Sequence, residues 1–230
     1  MYVIPSHGRS LKLQQLCESM SDNDRKQPVM VVVCDQDPTY EDYYKVRWPE
    51  SWRIKTAYGE YSYCGEKMNW ALERLPRAKY YGHLCDDVLL TGKDTLGELA
   101  EAAGDWYMAY PDDGLYRNAD LVCFPVTGGK LIREMGFWAH PWFKHNCLDS
   151  VLTDVGKTLK VLKPMLHLHY VVKHPFFGTA EMDETYARVE TINRKAGFIY
   201  DTQWHPGPER KELMARLNKV LNENEVARAS

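Results

Sequence analysis

No segment of this 230-residue sequence is apolar for long enough to span a bilayer. The longest such run, VMVVVC at 29–34, is far short of the roughly 20 residues a membrane helix needs. No basic stretch followed by an apolar one opens the chain, so no signal peptide is expected. Cysteine pairs at metal or redox spacing are missing too. The six cysteines, at 17, 34, 64, 85, 123 and 147, are scattered and none forms a C-x-x-C. That argues against zinc-ribbon and thioredoxin-like designs and suits reduced thiols in a cytoplasm. Net charge is small, −3 from 29 basic and 32 acidic residues, so no global attraction to nucleic acid exists, though a local basic face is compatible with it. Internal repeats, low-complexity tracts and dividing linkers are absent as well. What remains is a soluble globular domain of ordinary size, 44% hydrophobic and 27% charged, long enough to bury a sizeable core.

Periodicity supplies the elements. MYVIP reads as a first strand, SHGR as a turn, and SLKLQQLCESM as a helix with Leu11, Leu13 and Leu16 near one face. The β-branched run PVMVVVC predicts a strand buried on both faces. WRIKTAY is a third strand, GEKMNWALERL a helix with Met68, Ala71, Leu72 and Leu75 aligned, and YYGHLC a fourth strand. Strands alternating with helices imply a mainly parallel α/β sheet, in which ligands bind beyond the carboxyl ends of the strands. In the second half, DWYMAYPDD predicts a strand and LHLHYVVKHP another. GKLIREMGFW, LDSVLTDVGKTLKVL, EMDETYARVETINRKAG and PERKELMARLNKVLNENE predict helices, the last with Leu213, Leu217 and Leu221 in register.

The fourth strand ends in two adjacent carboxylates, Asp86 and Asp87. Neighbouring carboxylates repel, and burying them is costly unless a cation lies between them. Aspartate is common in strand-end turns. A ligand-edge location, however, suits Mg²⁺ or Mn²⁺, which take oxygen ligands and bridge carboxylates to phosphates.

The order of motifs resembles the GT-A glycosyltransferases, in particular the glycosyltransferase-like proteins of bacteriophages. PSHGR follows the first strand, an Asp ends the second, and DD follows the fourth; then come DWYMAYPDD, GGKLIREMGFWAHPWFKHNCLDSVLTDVG and VVKHPFFGTAEMDETYARV. The likeness covers roughly residues 1 to 190. One departure is that Val171 and Val172 stand where the phage pattern has Glu-His ahead of the late histidine.

The resemblance implies a single GT-A-like (Rossmann-like) domain. Residues 1–205 would form it, with a nucleotide-sugar half at 1–92 and an acceptor/catalytic half at 93–205, followed by an amphipathic helix and tail at 206–230. It implies a nucleotide-sugar donor, UDP-linked by expectation, and Mn²⁺ or Mg²⁺. Pro5, Ser6 and Arg9 would line the base and ribose, Asp35 would bind the nucleobase edge, and Asp86 the ribose. Lys67 and Asn69 would brace the nucleotide. Asp87 and His174 would hold the metal, with His167 and His169 as alternatives on the same strand. Asp149 would be the general base of an inverting transfer, or else simply a favourable residue at a helix start. PDDG, with Asp112 and Asp113, is a turn signal and reads as structural first.

Three function classes compete. The first is a metal-dependent glycosyltransferase, with a hydroxymethylated pyrimidine in phage DNA as one acceptor and a glycan or protein as others. Basic residues in YRNADL, GGKLIR and PERKELMARLNK would serve the DNA. The second is a non-catalytic nucleotide- or sugar-binding module, which would need no base. The third, a nucleotidyltransferase, needs a glycine-rich phosphate loop, and PSHGRS has one glycine.

Overall fold

The computed structural model describes residues 1–59, 63–74, 77–115, 121–172 and 184–229, the side chains of 185, 186, 188–191 and 225–229 excepted. Eight strands run β1 (Tyr2–Pro5), β2 (Val29–Cys34), β3 (Trp52–Ala57), β4 (Tyr80–His83), β5 (Val88–Leu90), β6 (Met108–Asp112), β7 (Val126–Gly128) and β8 (Leu162–Val172). They form one sheet of order β3-β2-β1-β4-β7-β6-β8-β5. The β3-β2-β1-β4 half is parallel throughout. In the other half β7 runs antiparallel to β4 and β6, β8 is parallel to β6, and β5 is antiparallel to β8.

The side-chain alternation of strands divides the core into two layers, one on each face of the sheet. From β1 and β2, Tyr2, Ile4, Val29, Val31 and Val33 join one layer, with Leu13 and Leu16 of α1 (Ser10–Ser19) and Leu96 and Leu99 of α5 (Thr95–Ala103); the short α2 (Asp22–Arg25) and α3 (Asp42–Lys45) flank β2 in the chain. Val3 and Val32 point the other way. They join Met68 of α4 (Cys64–Arg74), Ile132 of α6 (Gly129–Met135), Val151 and Leu152 of α7 (Leu148–Thr158), and Leu213 and Leu217 of α9 (Pro208–Ala229). The run VMVVVC is therefore buried on both faces, as a central parallel strand requires. Gly82 of β4 lies against Tyr2; a Cβ there would meet the Tyr2 ring at 2.3 Å.

Three local features differ from the sequence reading. The helix expected over LDSVLTDVGKTLKVL stops at Thr158, and Lys160 takes a left-handed φ of 56° that turns the chain into β8 four residues ahead of the expected strand. The pairing of β6 with β8 is interrupted by a bulge, so that Pro111 faces Met165 but Asp112 faces His169. The short strands β5 and β7, three residues each, carry too few alternations to register as a period. Near the C-terminus, α8 (Glu184–Ile199) runs through a π-helical turn, Tyr200–Trp204, before α9. Arg210 of α9 grips Asp154 of α7 with two hydrogen bonds of 2.6 and 2.7 Å, and Trp204 Nε1 donates to the same carboxylate.

Candidate active site

The carboxyl ends of β1, β2 and β4 converge on one polar cluster. After β1, Ser6 Oγ donates to Asp86 Oδ2 at 2.6 Å and meets the Tyr43 hydroxyl at 2.8 Å. Arg9 Nη1 lies 3.1 Å from Asp86 Oδ1 and 3.3 Å from Asp87 Oδ2. Arg9, Asp86 and Asp87 are 8%, 4% and 7% exposed, so the group is buried. Burial, the largest influence, and the neighbouring Asp87 push the Asp86 carboxyl above its usual range, while Arg9 and Ser6 oppose the shift. Arg9 is thus the cation that the adjacent carboxylates require.

The β1 loop is itself held from β2 and α4. Asp37 accepts from the Gly8 N–H at 2.8 Å and closes its own turn through the Thr39 N–H and hydroxyl. Asp37 therefore caps the turn around Pro38. Asp35 stays exposed at the end of β2, accepting a 3.2 Å hydrogen bond from the Gly59 N–H. Lys67, 1% exposed, donates to the Ser6 carbonyl. Burial lowers its ammonium pKa to about 8, with Asp37, Cys34 and Asp86 pulling it back up.

Asn69, expected to brace the nucleotide, bonds to the loop between α6 and α7. Its Oδ1 accepts from the Trp138 and Ala139 N–H groups, both at 3.0 Å, and its Nδ2 donates to the Ala139 carbonyl at 2.6 Å. The side chain is engaged with the loop ahead of α7 and braces that loop. Gly65, also on α4, packs on the same loop, where a Cβ would stand 2.7 Å from the Phe143 carbonyl.

Asp149 lies in the first turn of α7. Burial, then the charge of Asp113, push its carboxyl up to about 7, while the Cys123 thiol and the Phe124 N–H oppose the shift. Its Oδ1 is shut off from solvent and has no hydrogen-bond partner among the described residues. Phe124 adopts a left-handed φ of 51° in presenting that amide. Thiols of Cys64, Cys85 and Cys147 also sense the Asp149 charge. Four cysteines scattered in the sequence thus gather around one carboxylate, and all six are free thiols.

His174 lies outside the described residues. His167 pairs with Glu98 at 2.9 Å and His169 with Asp112 at 3.3 Å, both on the exposed face of β8. Among the described residues no group of three or more His, Cys, Asp or Glu side chains is arranged to hold a metal. The Asp86–Asp87 pair fits a hard divalent ion all the same, because Mg²⁺-type sites use one or two carboxylates and draw their other oxygens from phosphates and water. Sequence reasoning missed Tyr43 and Asp37. The signal for Asp37 was present in DQDPT, an Asp placed to cap its own Pro-Thr turn. Tyr43 had none, since one tyrosine among several in that loop is picked out only by the fold.

No family model matches the sequence, and no curated protein matches it. Solved structures do resemble the fold. S. aureus TarS aligns at TM-score 0.57 and 15% identity over 90% of this chain and 46% of that one. Its 1–349 segment in complex with UDP aligns at 0.57 and 13% over 88% and 71%. The mannosyltransferase PcManGT from Pyrobaculum calidifontis, in complex with GDP-Man and Mn²⁺, aligns at 0.58 and 12% over 94% and 68%. The chain spans about half the length of the full TarS structure. The fold is that of the GT-A glycosyltransferases: a mixed eight-stranded sheet flanked by helices in a single domain. No described helix is long and apolar enough to cross a membrane.

Proposed function

We infer that the chain is a divalent-metal-dependent glycosyltransferase moving a sugar from a nucleotide-sugar, UDP-linked by preference, to an acceptor hydroxyl with inversion. The observation that carries this reading is the buried Asp86–Asp87 pair beyond the end of β4, neutralised by Arg9, at the ligand edge of a GT-A-like sheet. The donor would lie over Pro5, Ser6 and Arg9, with Asp35 on the nucleobase, Asp86 on the ribose and Lys67 bracing the loop beneath. Asp87 and His174 would hold the Mn²⁺ or Mg²⁺. Bound there, the ion would offset the charge developing on the departing diphosphate. Asp149 would take the acceptor proton as the acceptor oxygen bonds to the anomeric carbon and the bond to the diphosphate breaks. A binding module has no use for a carboxylate raised towards neutrality, so the catalytic reading is preferred.

A hydroxymethylated pyrimidine in DNA is the acceptor suggested by phage-type resemblance. Much of the basic side-chain set that would meet phosphates is engaged within the protein, however. Lys130 pairs with Asp105 at 3.0 Å, Arg210 with Asp154, and Arg133 and Arg216 donate to main-chain carbonyls. That favours a glycan or protein acceptor as the second reading. The test is hydrolysis of a nucleotide-sugar panel with Mn²⁺, with and without hydroxymethylated DNA. Transfer to that DNA supports the first acceptor, and a steep loss with salt would mark phosphate contact. Panel-wide inactivity would remove the enzyme reading.

A further inference from the structure

The PSHGR loop carries two residues that reach Asp86, and both are tied to one phenol. Tyr43 lies in the single turn of α3, fully buried in the core layer that holds Ile4, Leu13 and Leu16. Its carbonyl accepts from Trp48 Nε1 at 2.7 Å, and the Trp48 ring stacks on Trp52 of β3, with centroids 5.8 Å apart and planes 7° from parallel. The Tyr43 backbone is thereby anchored to β3. Its hydroxyl reaches two atoms of the loop, Ser6 Oγ at 2.8 Å and the Arg9 main-chain nitrogen at 3.1 Å.

Proton counting fixes the direction of these bonds. A serine hydroxyl has one proton and two acceptor sites. Ser6 gives its proton to Asp86 Oδ2 at 2.6 Å, so towards Tyr43 it can only accept. Tyr43 therefore donates to Ser6, and its oxygen accepts from the Arg9 N–H. Three bonds run one way, from the Arg9 N–H to Tyr43, to Ser6, to Asp86, and each polarises the next. The Arg9 side chain closes the ring from the other side, with Nη1 3.1 Å from Asp86 Oδ1.

We propose that Tyr43 is a positioning residue for the donor site: by committing the Ser6 hydroxyl to Asp86, it keeps that carboxylate oriented when the Arg9 side chain leaves the pair. This rests on the reading of Asp86 and Asp87 as the donor and metal site. The two oxygens of Asp86 have separate holders, Oδ2 through Ser6 and Oδ1 through Arg9. The main chain of the loop does not depend on the Arg9 side chain, because Lys67 holds the Ser6 carbonyl and Asp37 holds the Gly8 N–H. Phenylalanine at position 43 would fill the same space. It would remove the Tyr43 acceptor from the Arg9 N–H and leave the Ser6 hydroxyl able to rotate away from Asp86.

The experiment is a double-mutant cycle of Tyr43→Phe and Ser6→Ala on the full chain, read by calorimetry with UDP and Mn²⁺ and by urea denaturation without ligand. Tyr43→Phe alone should weaken UDP binding about five- to tenfold. On whichever panel nucleotide-sugar turns over, it should raise the donor KM and leave kcat within about twofold, because a contact to the ribose is equal in ground and transition states. In the Ser6→Ala background the same substitution should change affinity by less than about twofold, since the link to Asp86 is already gone. A full-sized loss in both backgrounds overturns the proposal. So does wild-type affinity in Tyr43→Phe, or a fall in kcat at unchanged KM. If the wild type binds no UDP with Mn²⁺, the donor reading falls instead, and the denaturation cycle reports on Tyr43 alone. Stability losses short of their sum support the link through Ser6, and strictly additive losses overturn it. Should Tyr43→Phe fail to fold, ¹H NMR of the wild type carries the test. A slowly exchanging Tyr43 hydroxyl proton with a nuclear Overhauser contact to Ser6 is expected, and a rapidly exchanging one overturns the proposal.

Discussion

A single nitrogen of Arg9, Nη1, lies within 3.1 Å of Asp86 and 3.3 Å of Asp87, so one guanidinium answers two adjacent carboxylates. In that arrangement Arg9 stands where a divalent ion bound to the same pair would need room. The loop that carries Arg9 is tied down at Ser6, Gly8 and the Arg9 N–H, the last donating to Tyr43 at 3.1 Å. A metal and diphosphate bound at that pair would require the Arg9 side chain to move.

Arg9→Gln tests this balance without ligand. Breaking a buried ion pair by removing one partner costs about 3–5 kcal/mol, so the variant should melt well below wild type at pH 8. Because the folded-state pKa of Asp86 is raised, the native state holds its proton longer than the unfolded chain, and stability falls as pH rises from about 4 through the folded pKa. The deficit of Arg9→Gln should therefore shrink at pH 5, as measured by thermal denaturation. Equal melting temperatures at pH 8 would mean that Arg9 is not the stabilising cation.

Asp87→Ala should remove metal-dependent nucleotide binding. Calorimetry with UDP and Mn²⁺ should show binding to wild type that EDTA abolishes, and the variant should show no Mn²⁺-dependent gain. Unchanged affinity would end the metal role of Asp87.

Much of this site was legible before the fold because its chemistry is local. DD after a β-run, PSHGR after the first strand and Asp35 at the end of VMVVVC are read from neighbours in sequence. What was not legible depends on long-range packing. Asn69 looks like any polar residue on a helix, and its partners at 138 and 139 are some seventy positions away. Asp113 looked like an ordinary turn residue because only the fold brings the chain around 123 and 149 beside it. Asp154, one helical turn and a residue beyond Asp149 on α7, is taken up by Arg210 and Trp204. Short β5 and β7 were invisible for a different reason, since pairing across the sheet rather than intrinsic pattern makes them strands.

Asp35→Ala should raise the donor KM while leaving kcat nearly unchanged. Asp35 is exposed beside Gly59 at the end of β2, where a contact to a nucleobase edge would be equally strong in ground and transition states. Steady-state kinetics on the turned-over nucleotide-sugar decides it. A large fall in kcat at constant KM would show that Asp35 has some other task.

Asp149→Asn separates function from stability, because the two should move in opposite directions. The variant keeps the shape and loses the basicity, so kcat should fall by about two orders of magnitude or more, with donor affinity by calorimetry intact because the interaction matters in the transition state. Stability has two contributions. The start of α7 favours an anion by about 0.3–1 kcal/mol. Burial and Asp113 disfavour it: a carboxyl raised from 3.8 to about 7 corresponds to a few kcal/mol at most, so burial outweighs the helix dipole. For an acid whose folded pKa is raised, the penalty is absent below about pH 4, grows through the window up to about 7, and is constant above it. Asn never ionises. The variant should therefore melt higher than wild type at pH 8, and the gap should narrow towards pH 5. A variant that turns over normally and melts lower at pH 8 would make Asp149 a helix-start residue and send the search for the base to Asp113.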